Sequence, residues 1–288
     1  MPVIAPPSPA AMVALQLACV AIVVAWMLLR VRREADKGAF LARFAWLAIA
    51  AWLGEESCIR LYGFYFYSPG WTGFLDKVPV AIVCIWPVVV LSATDLARGL
   101  VGEAGEARRV PFAALVCALV VADASLIEPI AVASGLWRWT VPGPFHVPLI
   151  GILGWGFFAF GAALVRGRLS VLLVGPLAAH ALLLAGWWLA LRWLQRGLDE
   201  TPFVVAAGLA SAGLTWAVFA RRVALARADL LTRIPGAIFF FVLLGVFARQ
   251  QLSLVLYALA FAPPYLALTA RSTAEGPAAS VAAAGEAS

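Results

Sequence analysis

The chain has 288 residues, of which 64% are hydrophobic and only 12% are charged, and its mean hydropathy is +0.96. A soluble domain of this size carries about a quarter charged residues, so this composition excludes an ordinary water-soluble globular fold. The net charge of +6 resides in short basic clusters between long apolar blocks, which indicates cytoplasmic loops and contact with anionic membrane lipid, and no nucleic-acid partner.

Long apolar blocks follow one another along the chain. A block of about 20 apolar residues crosses a hydrocarbon core of about 30 Å, so the blocks predict membrane-spanning helices. The fold class is therefore predicted to be all-α, a polytopic integral membrane bundle of eight or nine helices. The predicted spans are Ala10–Leu29, Ala39–Ser57, Val78–Ala97, Pro111–Ala131, Val147–Val165, Leu169–Leu191, Pro202–Phe219, Ile234–Ala248 and Leu252–Leu268.

The basic residues orient these spans. No Lys or Arg precedes the first block, so we expect a retained span and not a cleaved secretory signal. Arg30, Arg32, Arg33 and Lys37 follow that block at once, which places this end in the cytoplasm and the N-terminus outside. With simple alternation, 15 of the 21 Lys and Arg residues lie on the cytoplasmic side.

The C-terminal part leaves the number of spans open. Arg249-Gln250-Gln251 either turns a tight hairpin, giving nine spans, or lies within one bent span, giving eight. Residues 1–271 are predicted to form a single transmembrane domain, and 272–288, rich in Ala, Gly, Ser and Glu, a disordered tail. We expect no internal repeat, and we interpret the four widely spaced cysteines as free packing thiols without a metal site.

Ionisable residues inside spans are candidates for function, because each costs about 2.5–3.5 kcal/mol at mid-span. Asp123 is the deepest carboxyl, and its Val, Leu and Ala neighbours favour a neutral acid that donates protons to an apolar substrate. Glu128 lies five residues further on, before Pro129, where the helix is expected to kink or end. Glu128 then either reaches the same cavity as Asp123 or marks the membrane surface.

Two further carboxyls close the second span. Glu56 has Arg60 at i+4, so a structural ion pair is the simpler interpretation for it, whereas Glu55 has no such partner. We expect one of the two to be functional. Asp95 has Arg98 at i+3, which indicates a surface pair, and His180 is expected to form a hydrogen bond between helices.

The loops beyond these acids are rich in aromatic residues. Alternation of the spans places Glu55, Glu56, Asp123 and Glu128 in the same outer leaflet. An interfacial aromatic belt would explain rings at this depth. The ring density favours a second role, because aromatic faces stabilise desolvated cations by up to about 2 kcal/mol each. The predicted cation-lining and substrate-binding residues are Tyr65, Tyr67, Trp137, Trp139 and Trp155.

These residues also carry a resemblance. Glu128-Pro129-Ile-Ala-Val, Gly135-Leu-Trp-Arg-Trp139, Gly143-Pro-Phe-His-Val-Pro148 and Gly154-Trp155 resemble the signature region of the membrane carotenoid-biosynthesis family that includes carotenoid 1',2'-hydratases. An earlier motif of that family resembles Gly63-Phe-Tyr-Phe-Tyr-Ser68 with Val78-Pro79 and Trp86. The likeness covers about the middle third of the chain.

The resemblance implies an integral membrane enzyme, free of heme and metal, that protonates a terminal isoprenoid double bond of a polyene and adds water. Asp123 then corresponds to the motif's acid, and Glu55 or Glu56 to an earlier acidic position. Glu128 stands where the motif favours Asp, which leaves the substrate open. The expected location is a bacterial-type inner (cell) membrane, and the expected partners are membrane lipid and an apolar polyene or isoprenoid substrate within the bilayer.

Two other functions remain compatible with the residues. A membrane terpenoid or lycopene-type cyclase would use the same proton donor, but an internal alkene would capture the cation. A non-enzymatic isoprenoid or lipid carrier would need none of the acids for chemistry. The sequence contains no P-loop, dinucleotide fingerprint, H-E-x-x-H or nucleophile elbow that would favour another class of enzyme.

Overall fold

The computed structural model describes residues 6–141, 143–165, 167–194 and 198–272, without the side chain of Arg168. The predicted tail therefore lies outside the described residues, apart from Ser272. The helices are α1 (Pro9–Val31), α2 (Lys37–Tyr62), α3 (Val80–Ala107), α4 (Arg109–Ala133), α5 (Leu149–Leu164), α6 (Arg168–Gly186), α7 (Arg192–Leu194), α8 (Thr201–Ala220), α9 (Arg227–Leu231), α10 (Ile234–Leu243), α11 (Leu252–Leu259) and α12 (Ala262–Ala270).

The predicted all-α membrane bundle is confirmed. Within the described ranges, eight helical segments are long and apolar enough to cross a bilayer, and Leu149–Leu164 is a ninth, shorter apolar helix. A π-helical turn at Trp187–Leu191 joins α6 to α7, and another at Leu244–Ala248 extends α10. The chain leaves the helical conformation at Arg249–Gln251, so the last two segments are separate, as the nine-span interpretation predicts.

Local sequence signals determine where the first helices begin and end. The Ser8 side chain accepts a hydrogen bond from the Ala11 N–H (3.3 Å), and that of Asp36 accepts one from the Ala39 N–H (2.8 Å), so each caps a helix N-terminus. α2 ends at Gly63, whose φ of 60° is left-handed. This residue turns the chain directly into the segment that follows α2.

Two short strands form an antiparallel ladder that the sequence did not predict. β1 (Tyr65–Tyr67) pairs with β4 (Trp137–Trp139), so that Tyr65 faces Trp139 and Tyr67 faces Trp137. A smaller hairpin joins β2 (Phe74–Leu75) to β3 (Val78–Pro79). Because side chains alternate along a strand, Tyr65, Tyr67, Trp137 and Trp139 lie on one face of this ladder, and Phe66 and Arg138 lie on the other.

Ion pairs connect the other end of the bundle. The Arg30 guanidinium donates to Asp95 (2.9 Å), and Arg98 donates to the same carboxyl (3.1 Å), which confirms the predicted Asp95–Arg98 pair. Arg33 of the α1–α2 segment pairs with Asp229 of α9 (3.0 Å). These contacts lie in the segments that the basic clusters assign to the cytoplasmic side.

Candidate functional site

Glu55 lies near the C-terminal end of α2 and is buried, with 8% of its surface exposed. Its Oε2 accepts hydrogen bonds from the Tyr65 hydroxyl (3.0 Å) and from the Tyr67 hydroxyl. Its Oε1 accepts one from the indole N–H of Trp86 on α3 (2.8 Å). A carboxylate has about four acceptor positions, so one position on Oε1 remains.

Glu128 lies near the C-terminal end of α4 and is only 2% exposed. Its Oε2 accepts hydrogen bonds from the indole N–H groups of Trp137 (2.8 Å) and Trp139 (3.0 Å). Its Oε1 accepts one from the indole N–H of Trp155 on α5 (2.7 Å). Glu128 therefore has the same two-plus-one arrangement of donors as Glu55.

Ring contacts bring the two carboxyls together. Trp86 and Trp155, which hold the two Oε1 atoms, have ring centroids 4.5 Å apart. Tyr65 lies 4.8 Å from Trp139 between ring centroids, and Tyr67 lies 5.9 Å from Trp137. We call these six donors the aromatic layer: ring contacts join the four that lie on one face of the β1–β4 ladder, and a separate contact joins Trp86 to Trp155.

This layer borders a cavity of about 70 Å³. Both carboxyls and all six donors line it, and so do Cys58, Phe64, Ile82, Ile150, Phe158 and Leu183. One water molecule needs about 10–15 Å³, so by volume the cavity has room for several waters or for the end of an apolar chain, and its lining is mostly apolar apart from the two carboxyls and their donors.

The two phenols of β1 are held in the neutral form. Burial raises the pKa of Tyr65 and Tyr67 well above the ordinary value, and the nearby Glu55 carboxyl adds to this effect. Both phenols therefore remain hydrogen-bond donors at neutral pH.

Glu56 points away from the cavity. Its carboxylate pairs with Arg60 (2.6 Å) and accepts a hydrogen bond from the Lys77 backbone N–H (3.0 Å), and Arg60 also pairs with Asp76. The sequence left open which of Glu55 and Glu56 belongs to the site, and the structure brings only Glu55 to the cavity. The ion pair expected for Glu56 is present.

The structure corrects the placement of Asp123. Its carboxyl pairs with Arg233, which precedes α10 and also donates to the Ser92 hydroxyl (2.8 Å). Asp123 is therefore one partner of an ion pair, although the residues next to it in sequence are apolar. Asp123 does not line the cavity that Glu55 and Glu128 share. The expected cluster of four acids is thus a pair.

All five predicted substrate-binding residues line the cavity, namely Tyr65, Tyr67, Trp137, Trp139 and Trp155. Trp86 completes the site, although the sequence marks it only as part of a motif. His180 of α6 contacts Ser57 (2.8 Å) and Tyr62 (2.8 Å) of α2, which confirms the predicted hydrogen bond between helices. In the described part of the chain, no group of three or more His, Cys, Asp or Glu residues is placed to hold a metal ion.

A family model described as carotenoid biosynthesis protein matches residues 10–175, more than half of the chain. The chain belongs to this carotenoid biosynthesis family. The match spans both carboxyls and all six of their donors, so the whole donor set lies in the part of the chain that defines family membership. No curated protein and no solved structure matches the chain.

Proposed function

We propose that this carotenoid biosynthesis protein catalyses the hydration of a terminal isoprenoid double bond. The observation that carries the proposal is the pair of buried carboxyls, Glu55 and Glu128, that face one cavity within a layer of six aromatic donors. Buried carboxyls are costly in a membrane protein and are retained where chemistry needs them. The resemblance to carotenoid 1',2'-hydratases supports the same reaction.

The reaction needs an acid, groups that stabilise a cation and a water molecule, and the cavity offers the first two together with space for the third. A carboxyl group protonates the less substituted carbon of the alkene, forming a C–H bond and leaving a tertiary cation. The faces of the surrounding rings stabilise that cation. Water then forms the C–O bond and returns a proton to a carboxylate, so that the net change is the addition of one water molecule.

The cavity supports hydration over ring closure. Cyclisation requires the cation to meet an internal alkene in a dry site, whereas this cavity has room for water beside two hydroxyls and two carboxyls. Pockets that enclose whole drug-sized ligands measure about 300–1,000 Å³, so at about 70 Å³ this cavity accepts only the end of a polyene. The rest of the substrate lies among the helices and lipid of a bacterial-type inner membrane.

Expression of the protein together with a lycopene-producing pathway tests the proposal. We expect a product heavier than its precursor by one water, and we expect Glu55→Gln and Glu128→Gln each to abolish it. Glu56→Gln is the matched control, because this neighbouring carboxyl lies outside the cavity. A product of unchanged mass would indicate the cyclase, and unchanged yields in both cavity variants would indicate a carrier.

A further inference from the structure

The site consists of two equivalent halves, which come from two copies of one motif in the same chain. Each of the two acidic residues is followed by the same motif. It begins with a glycine of positive φ, and aromatic residues stand two and four positions after that glycine. A Val-Pro pair comes next, and a tryptophan stands seven positions after the proline. The first copy is Glu55, Gly63, Tyr65, Tyr67, Val78-Pro79 and Trp86, and the second is Glu128, Gly135, Trp137, Trp139, Val147-Pro148 and Trp155. The expectation that the chain has no internal repeat is therefore wrong.

The backbone of the two copies follows the same course. In each copy a helix carries the acid, a strand carries two donors, and a second helix, preceded by the proline, carries the third donor. The first helices, α2 and α4, run in the same direction under simple alternation of the spans. Repeats of this kind are related by an axis along the membrane normal.

The contacts between the copies are reciprocal, as a two-fold axis requires. The Ser68 N–H donates to the Leu136 carbonyl (2.9 Å), and the Thr140 N–H donates to the Phe64 carbonyl (2.7 Å). Ser68 and Thr140 are equivalent positions in the two copies, and so are Phe64 and Leu136, because each pair is 72 positions apart. Exchange of the equivalent residues therefore converts either hydrogen bond into the other. Trp86 and Trp155, which are equivalent in the two copies, contact each other. The axis therefore passes through the centre of the ladder and between these two indoles.

The two halves differ in one chemical property. Glu128 receives three indole N–H groups, which donate hydrogen bonds and accept none. Glu55 receives one indole and two phenols, and a phenol oxygen both donates and accepts. When Glu55 carries a proton, a phenol that rotates its O–H can accept from the carboxyl. None of the three indoles can accept a hydrogen bond from a protonated Glu128.

We propose that the two half-sites, each a glutamate with its three donors, have different roles in the hydration reaction. Glu128 remains an anion that stabilises the cationic intermediate, and Glu55 donates a proton and later accepts one. This assignment rests on the proposed function. Glu55 gives its proton to the alkene carbon as the π bond breaks. Water attacks the cation, its O–H bond breaks as the C–O bond forms, and its proton returns to Glu55. Glu128 exchanges no proton, and its charge acts strongly because the cavity is buried.

A cationic ligand separates the two roles. The probe is an isoprenoid chain ending in a dimethylamino group, whose protonated nitrogen replaces the cationic carbon, compared with the matching neutral hydrocarbon. Binding to the purified full chain in detergent is followed by tryptophan fluorescence. We expect the wild-type protein to prefer the amine at least tenfold, Glu128→Gln to lose most of that preference, and Glu55→Gln and the control Glu56→Gln to retain it within threefold.

Donor variants make the test independent of whether Glu128→Gln folds. Trp137→Phe combined with Trp139→Phe should weaken the amine preference, because Glu128 loses two donors. Tyr65→Phe combined with Tyr67→Phe should leave the preference intact, slow product formation and raise the solvent deuterium isotope effect. A purely structural role for the phenols would not change the isotope effect.

The outcomes distinguish the two proposals. An amine preference that follows Glu55, that falls equally in both glutamate variants, or that is absent from the wild-type protein overturns the division of roles even if hydrated product forms. A preference that follows Glu128 in a protein that hydrates no polyene supports the anionic half-site and refutes hydration.

Discussion

Asp123 and Glu128 show how strongly the surroundings of a carboxyl decide its role. They lie five positions apart on α4, about 140° around the helix, and so face different neighbours. Glu128 meets three indole N–H groups at the cavity, whereas Asp123 meets the guanidinium of Arg233. The charge of Asp123 is thus balanced within the protein, and its contact holds the start of α10 against α4.

Removal of one partner of this ion pair should destabilise the protein. Arg233→Met leaves the Asp123 carboxylate without its partner, and we expect a cost below the ~3–5 kcal/mol of a fully buried pair, because the Asp123 side chain is 23% exposed. The double variant Arg233→Met with Asp123→Leu should recover most of that stability, because no unpaired charge remains. Unfolding in detergent measures both effects. If the folded double variant forms no hydrated product, Asp123 is part of the chemistry after all.

The residues of the site could be predicted only in part from the sequence. Glu55, Glu128 and the aromatic residues of both loops stand out, because carboxyls are rare in apolar blocks. The partner of Asp123 does not, since Arg233 is 110 positions away and begins a different helix. Likewise Trp86 lies within an apolar helix, where nothing local distinguishes a donor to Glu55 from a packing residue.

At the scale of elements, α5 approaches β4 very closely. A Cβ atom on Gly151 would lie 2.5–2.9 Å from the ring of Trp139, which the strand pairing and its bond to Glu128 hold in place. Glycine therefore allows this helix to pack directly against an indole that serves the carboxyl. The position of the ring and the packing of the helix are coupled.

Gly151→Ala should therefore displace Trp139 and remove one donor from Glu128. We expect product formation to fall at least tenfold while the helical content stays unchanged by circular dichroism. Gly208→Ala on α8, where a Cβ atom meets nothing within 4 Å, is the matched control and should retain wild-type activity. Full activity in Gly151→Ala would show that the Trp139 hydrogen bond is dispensable.

The helices were predictable and the strands were not, for a physical reason. The length and apolar composition of a block of about 20 residues are enough to predict a helix in lipid, and each predicted span corresponds to a helical segment. Tyr65–Tyr67 and Trp137–Trp139 are only three residues long, and they gain their structure by pairing with each other across 72 positions of sequence. The repeat is concealed as well, because ten residues separate Tyr67 from Val78 but only seven separate Trp139 from Val147.

At the scale of the whole molecule, the nine apolar helical segments of the described ranges place Pro9 and Ala270 on opposite sides of the membrane if each segment crosses once. The bundle is not uniform along its sequence. α1 to α5 contain both acids and the main buried core, while α8 presents many of its apolar side chains outward. Among the described residues, the cavity lining comes from residues 51–183, and none of it comes from α8 to α12.

Because the site has two equivalent halves, it should tolerate a break in the chain between them. One copy supplies a single acid with its three donors, and the link between the copies is the short junction of α3 and α4 at Arg108. Two fragments, 1–107 and 108–288, should therefore copurify when produced together and restore product formation, whereas a cut inside α4 after Val116 should not. Neither fragment alone encloses the cavity, because its lining comes from both.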